Sequence, residues 1–202
     1  YQVYVAPGLL GMICLFNGIQ SSLAMVYDRE MGMMRLLLTA PLARAYLLAC
    51  KLVAGTLLSL VQCYAFLVVC ALFGVDLPWS GWIYAFPALL LGGLMLGALG
   101  LLLSVYIKQI ENFASTMNFV IFPMFFMSSA LYPLWKLKES GAEWLYWVSS
   151  VNPFTHSVEL TRFAMYGQLN LTSLAVTGGS ALVFFVWAAY GYDPQRGMVK
   201  KR

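Results

Sequence analysis

Charge is what this sequence has least of. Of 202 residues only 10% are Asp, Glu, Lys or Arg, while 61% are hydrophobic and mean hydropathy is +0.78. A soluble domain carries roughly 25% charged residues, so there is too little polar surface here to cover a water-soluble globule. Histidine is almost missing too. His156 stands alone, which excludes a bis-histidine haem site supplied by this chain and an H-E-x-x-H zinc site. Cys14, Cys50, Cys63 and Cys70 form no C-x-x-C pair and have no histidine near them. They read as small apolar residues rather than ligands, and no metal site is expected. The phosphate-cradling G-x-x-x-x-G-K-[ST] loop is lacking, so this chain does not hydrolyse ATP by that route and no catalytic residue is assigned. Ser128 and Ser129 share a side with His156, but no serine-protease motif surrounds them. No nucleic-acid partner is expected. Alternating apolar and polar residues are absent, which favours helices over a β-barrel. There is no initiating Met and no signal-peptide n-region before the first apolar segment.

What the sequence does contain is long apolar runs. A bilayer core needs about 20 apolar residues per helix. On that measure the chain reads as an all-α membrane protein, a polytopic helical bundle forming a single transmembrane domain over residues 1–202. Five spans are expected, at about 4–26, 46–73, 82–107, 113–131 and 171–190. In the first, Asn17, Gln20 and Ser21 fall on one helical face. A polar stripe in lipid is costly, so this face should turn toward protein or a water-filled path. Interhelical hydrogen bonding and pathway lining both remain open for it. In the second, the strong polar groups are Lys51, placed to snorkel to the interface, and Gln62 at mid-depth. Trp79 and Trp82 in the next turn read as an interfacial belt. In the third, Gly93, Gly97, Gly100 and Ser104 make a small-residue stripe that lets another helix approach closely. The fourth carries Asn118 and a Phe119/Phe122/Phe126 face, with Pro123 as a kink. Packing, lipid contact and pathway lining are all open for these aromatics. A mixed polar and aromatic lining built from Asn17, Gln20, Ser21, Asn118, Phe119, Phe122 and Phe126 suits an amphipathic or lipid-linked cargo.

Two stretches break the apolar pattern. The first, Tyr27 to Lys51, is basic and amphipathic, lodged between two apolar runs. A surface helix is expected over about 28–40, started by Asp28, Arg29 and Glu30 and stopped by Pro41. Met33, Met34, Leu36, Leu37 and Leu38 offer apolar knobs around Arg35, a surface suited to docking on a soluble partner or to anchoring in lipid headgroups. The second, about 132–168, regains charges and tryptophans. Two short helices are expected there, Ala142 to Ser149 and Phe154 to Met165, split by Asn152-Pro153. Neither is long enough to span, so both read as re-entrant or interfacial. His156 is placed to cap or bond near Glu159, and Glu159 and Arg162, three apart, are placed to pair or to close an outer gate.

Basic residues set the orientation. Arg29, Arg35, Arg44, Lys51, Lys108, Arg196, Lys200, Lys201 and Arg202 fall on one side of a five-span arrangement. Positive charge marks the cytoplasmic side, so the surface helix and the tail are expected in the cytoplasm and Tyr1 outside. A chain that starts outside with no signal peptide suggests a further span before Tyr1.

Two separated motifs then resemble a known family. Arg29-Glu30-x-Gly32-x-x-Arg35-Leu36-Leu37-x-Thr39-x-Pro41, followed by Arg44 and Lys51, resembles the coupling segment of ABC-2-type transporter permeases. Ser129-Ala-Leu-Tyr-Pro133, then Asn152-Pro-Phe-Thr-His156, then Glu159-Leu-Thr-Arg162, is similar to that family's outer-face signature before its last span. The match departs at Met34, where an acid is common, and at Cys50, where Gly is usual. The resemblance implies six spans in the full subunit and a permease that pairs with a second copy, in the inner membrane. It implies a separate cytoplasmic ABC ATPase holding ATP and Mg, with no cofactor on this chain, and export as the direction. It assigns coupling to Arg29, Glu30, Gly32, Met33, Arg35, Leu36, Leu37 and Pro41, and an outer gate to Asn152, Pro153, His156, Glu159 and Arg162. The competing reading is an accessory membrane subunit that anchors or binds partners without transporting.

Overall fold

The computed structural model describes residues 2–31, 44–75, 78–107, 109–132 and 143–192. Every regular element among them is helical: α1 Gln2–Glu30, α2 Arg44–Leu72, α3 Trp79–Tyr106, α4 Ile110–Phe126, α5 Glu143–Val151, α6 Pro153–Met165 and α7 Leu171–Gly191. Four are long and apolar enough to cross a membrane, over Tyr4–Asp28, Ala45–Leu72, Trp79–Tyr106 and Leu171–Gly191. The protein is a polytopic helical membrane protein.

α3 is the hub, packed by α1, α2, α6 and α7. The expected glycine stripe explains how. A Cβ at Gly93 would stand 2.9 Å from Thr56 Cγ2 of α2, and one at Gly100 would stand 2.7 Å from the Gly18 carbonyl oxygen of α1. With lipid tails as apolar as leucine, close backbone approach and van der Waals packing hold such helices together. Around the crossings Leu10, Leu15, Ile19, Leu89, Met95, Leu96, Phe113, Phe154 and Val158 form one buried cluster.

Several expected boundaries move. α1 runs through Pro7 and on to Glu30, so Asp28, Arg29 and Glu30 do not start a separate surface helix; they form the last turn of the first span. The remainder of the expected coupling helix, including Gly32, Met33, Arg35, Leu36, Leu37 and Pro41, lies outside the described residues. The fourth helix covers Ile110–Phe126 rather than 113–131. At 17 residues it reaches about 25 Å, short of the roughly 30 Å hydrocarbon core. It stops because Ser128 turns the chain. The Ser128 hydroxyl donates to the Phe125 carbonyl at 2.5 Å and accepts from the Ala130 amide at 3.2 Å, and Met127 already has non-helical backbone.

The two short helices expected within 132–168 form, as Glu143–Val151 and Pro153–Met165, and their junction is set locally. Asn152 is the N-cap of α6, its Oδ1 accepting from the Phe154 amide at 3.0 Å, with Pro153 at the first helical position. α6 is not a surface element. It packs on α1, α3 and α7, with Phe154, Val158, Leu160 and Thr161 buried.

Candidate functional site

Three polar clusters are built on this frame. The first lies at the α1–α2 groove. The polar face of α1 meets α2, where Asn17 Nδ2 donates to Gln62 Oε1 and also to the Ile13 carbonyl at 3.0 Å. Gln20 and Ser21 share the groove, whose volume is about 600 Å³ and whose walls include Met12, Phe16 and Phe66. Ser21 turns its hydroxyl back onto the Gly18 carbonyl at 3.0 Å. Gln62 is the residue that spacing within the first span does not reveal, since its role depends on the α1–α2 crossing. Asn118, Phe119, Phe122 and Phe126 do not join this groove. They sit exposed on α4, with Phe119 79% exposed, and Phe122 stacks on Phe126 at 6.3 Å. The single lining expected from sequence is therefore divided between two surfaces, because α4 packs on α1 through its opposite face, where Phe113, Ile121 and Phe125 are buried.

The second cluster lies where α1 ends and α2 and α4 begin. Lys51 of α2 forms an ion pair with Asp28 of α1, so the expected snorkelling lysine is held by a carboxylate instead. Their side chains are 32% and 28% exposed, which keeps the pair worth little in isolation. Its position matters more, since it joins the two helices that flank residues 32–43. Glu30 reaches a different helix. Its Oε1 accepts from the Ile110 amide at 3.1 Å, an orphan donor in the first turn of α4 that the N-cap residue Gln109 leaves without a side-chain cap.

The third cluster lies at the opposite end. Glu159 and Arg162 form an ion pair one turn apart on α6, with side chains only 15% and 12% exposed. Arg162 also donates to the Ser129 carbonyl at 3.0 Å, and its guanidinium lies 3.9 Å from the Tyr4 ring centroid. The Tyr4 hydroxyl donates to that same carbonyl at 3.2 Å. A cation over an aromatic face gains further where water is scarce. Tyr4 carries no motif signal and is found only through this contact. Asn152 donates from Nδ2 to the Met124 and Met127 carbonyls at 2.7 and 3.0 Å. His156 does not bond near Glu159, as its spacing suggested. Its Nε2 lies 2.9 Å from the Ser150 carbonyl, because α6 begins right behind α5 and the ring reaches back across the junction.

The geometry thus sets a polar groove, a helix-end junction beside residues 32–43 and a buried ion pair at the far end. Compared with known proteins, residues 1–166 match the family described as ABC-2 type transporter. The chain belongs to that family. Two relatives of this ABC-2 chain are named as transport permeases. It is 28% identical over 165 residues to the transport permease ycf38 of Cyanophora paradoxa, covering 81% of this chain and 56% of that one. It is 30% identical over 178 residues to the protein of that name in Pyropia yezoensis, covering 84% and 57%. Nodulation protein J of Rhizobium leguminosarum bv. viciae is 29% identical over 101 residues, covering 50% and 37%. The chain therefore spans little more than half the length of the curated permeases it matches.

Proposed function

We propose that this ABC-2 chain is the transmembrane permease portion of an ATP-driven transporter, coupled to a separate cytoplasmic ATPase that binds ATP and Mg. The family match carries this reading, and the Asp28–Lys51 ion pair gives it a mechanical basis. Residues 32–43 leave α1 and return to α2 at a point where the two helices are tied together. A partner that grips this segment through Arg35, Leu36 and Leu37 moves α1 and α2 as a unit. That movement carries the groove they share at Asn17, Gln20 and Gln62 relative to the rest of the bundle and to a second copy of the chain. Export of an amphipathic or lipid-linked cargo suits a path of mixed polarity. In this reading α4 and the turn that follows it to Tyr132 together make a fifth crossing, a second copy of the chain completes the path, and the protein sits in the cell (inner) membrane with residues 32–43 and the tail cytoplasmic.

The test is a pull-down of the tagged full-length protein from its native membrane, with mass spectrometry of what comes with it. A stoichiometric ATPase supports the reading. A different membrane complex with no ATPase replaces it with the accessory-subunit reading.

A further inference from the structure

α4 is held in an unusual way. Along its length it packs mainly on α1, while its outward face, with Phe119 and Phe126, is exposed. Its two ends are fastened by side chains from elsewhere. At one end Glu30, which lies 80 residues away in sequence, receives the Ile110 amide. At the other, Asn152 donates to two α4-end carbonyls, Met124 and Met127, and Ser149 donates to Met127 at 3.1 Å. Each attachment consists of directional bonds to backbone groups. The Ile110 amide is one that a helix leaves orphaned at its start, and the Met124 and Met127 carbonyls are ones it leaves orphaned at its finish.

The two attachment points belong to the two regions a transporter must connect. Glu30 is the last residue of α1, at the start of the segment that the family resemblance assigns to the ATPase. Asn152 is the hinge between α5 and α6, in the segment that carries the Glu159–Arg162 pair. This 17-residue helix, about 25 Å long, runs from Ile110 into its last turn, where Pro123 stands beside the Asn152 attachment. Pulling one end by its first amide therefore displaces the carbonyls at the other.

We propose that α4 is a transmission rod, with Glu30 its latch at the coupling end and Asn152 its latch at the outer end. The proposal rests on the ATPase-coupled reading above. Glu30 and Asn152 are positioning residues; neither needs to touch cargo or nucleotide. The carboxylate of Glu30 suits its place because it faces the positive end of the α4 dipole. Asn152 suits its own because one amide side chain does two jobs, accepting from Phe154 to start α6 while donating to α4.

That division of labour supplies the test. Asn152→Asp keeps the oxygen that caps α6 and removes the donor to Met124 and Met127, while Glu30→Ala removes the other latch. The measurement is hydrogen–deuterium exchange on the full-length permease–ATPase complex in detergent, with and without vanadate-trapped nucleotide. Without nucleotide, Glu30→Ala should speed exchange at the start of α4 by about two- to fivefold. With nucleotide, wild type should change its exchange over residues 143–165. Both variants should lose that change, and Asn152→Asp, at the end away from the coupling segment, should do so while still binding the ATPase and hydrolysing ATP. A nucleotide response at 143–165 that persists in both variants overturns the rod and leaves the transporter reading intact. Loss of the ATPase from Glu30→Ala, with Asn152→Asp still responding, overturns it as well and makes Glu30 a direct partner contact. A wild type that binds no ATPase removes the transporter reading and the rod with it.

Discussion

Gly18 of α1 lies directly against Gly97 of α3. A Cβ on Gly18 would stand 2.8 Å from the Gly97 nitrogen and 2.9 Å from the Leu96 carbonyl carbon. Both obstacles are backbone, so no side chain can swing aside. Gly18→Ala should therefore cost about 1–3 kcal/mol through overpacking. Gly178 in α7 has nothing within 4 Å of its Cβ position. Gly178→Ala should be neutral or stabilising by up to about 1 kcal/mol, because alanine is the better helix former. Thermal unfolding of the two variants in the same detergent checks the contrast, and equal Tm values for both would remove the crossing from the account of stability.

The Glu159–Arg162 pair sets up a second contrast. Both side chains are largely buried, and a buried charge that loses its partner is expensive. Arg162→Met should destabilise by about 3–5 kcal/mol, because it strands the Glu159 carboxylate. Arg162→Met combined with Glu159→Leu should recover most of that loss, since the charge no longer needs a partner. Folded yield and Tm report the result. A double variant as unstable as the single one would place the cost in the Ser129 and Tyr4 contacts rather than in the ion pair.

Asn17 and Gln62 separate packing from pathway. An interhelical hydrogen bond in a membrane is worth about 0.6 kcal/mol. Removing both partners leaves no buried group unpaired, so Asn17→Leu with Gln62→Leu should change stability by less than about 1 kcal/mol. If the groove carries cargo, the same double variant should lower transport at least about tenfold, which is 1.4 kcal/mol on the barrier. Unchanged vesicle transport would reduce the pair to a packing contact.

Leu36 and Arg35 probe the proposed coupling segment. Leu36→Asp places a charge where an apolar anchor is expected. Truncating such an anchor costs more than about 2 kcal/mol of binding. Leu36→Asp and Arg35→Glu should each release the ATPase, or leave it hydrolysing ATP without transport, while the permease stays in the membrane. Co-purification and the ratio of transport to hydrolysis measure this, and normal values in both variants would strip the segment of its coupling role.

Much of the architecture was readable from one dimension. Length and continuity of the apolar runs set α1, α2, α3 and α7, because a lone chain in lipid must satisfy its backbone inside each segment. The Gly93, Gly97 and Gly100 stripe announced a close helix crossing, since its spacing alone places those residues on one face. Asn152-Pro153 announced the start of α6, because an N-cap and a first-turn proline act within a few residues of themselves. The family motifs were likewise local strings.

Partners were a different matter. Periodicity put Asn17 on a polar face but not opposite Gln62, and it grouped the α4 aromatics with a groove from which the structure separates them. Spacing offered His156 a partner in Glu159, yet the ring turned to Ser150. Glu30 looked like the start of a surface helix and became the cap of a helix 80 residues away. In each case the deciding quantity is which helices cross and at what height. That depends on the summed packing of whole faces, and no short stretch of sequence carries it. What the residues determined alone is that this chain lives in a membrane as helices. The tertiary structure decided which helix ends are tied to one another.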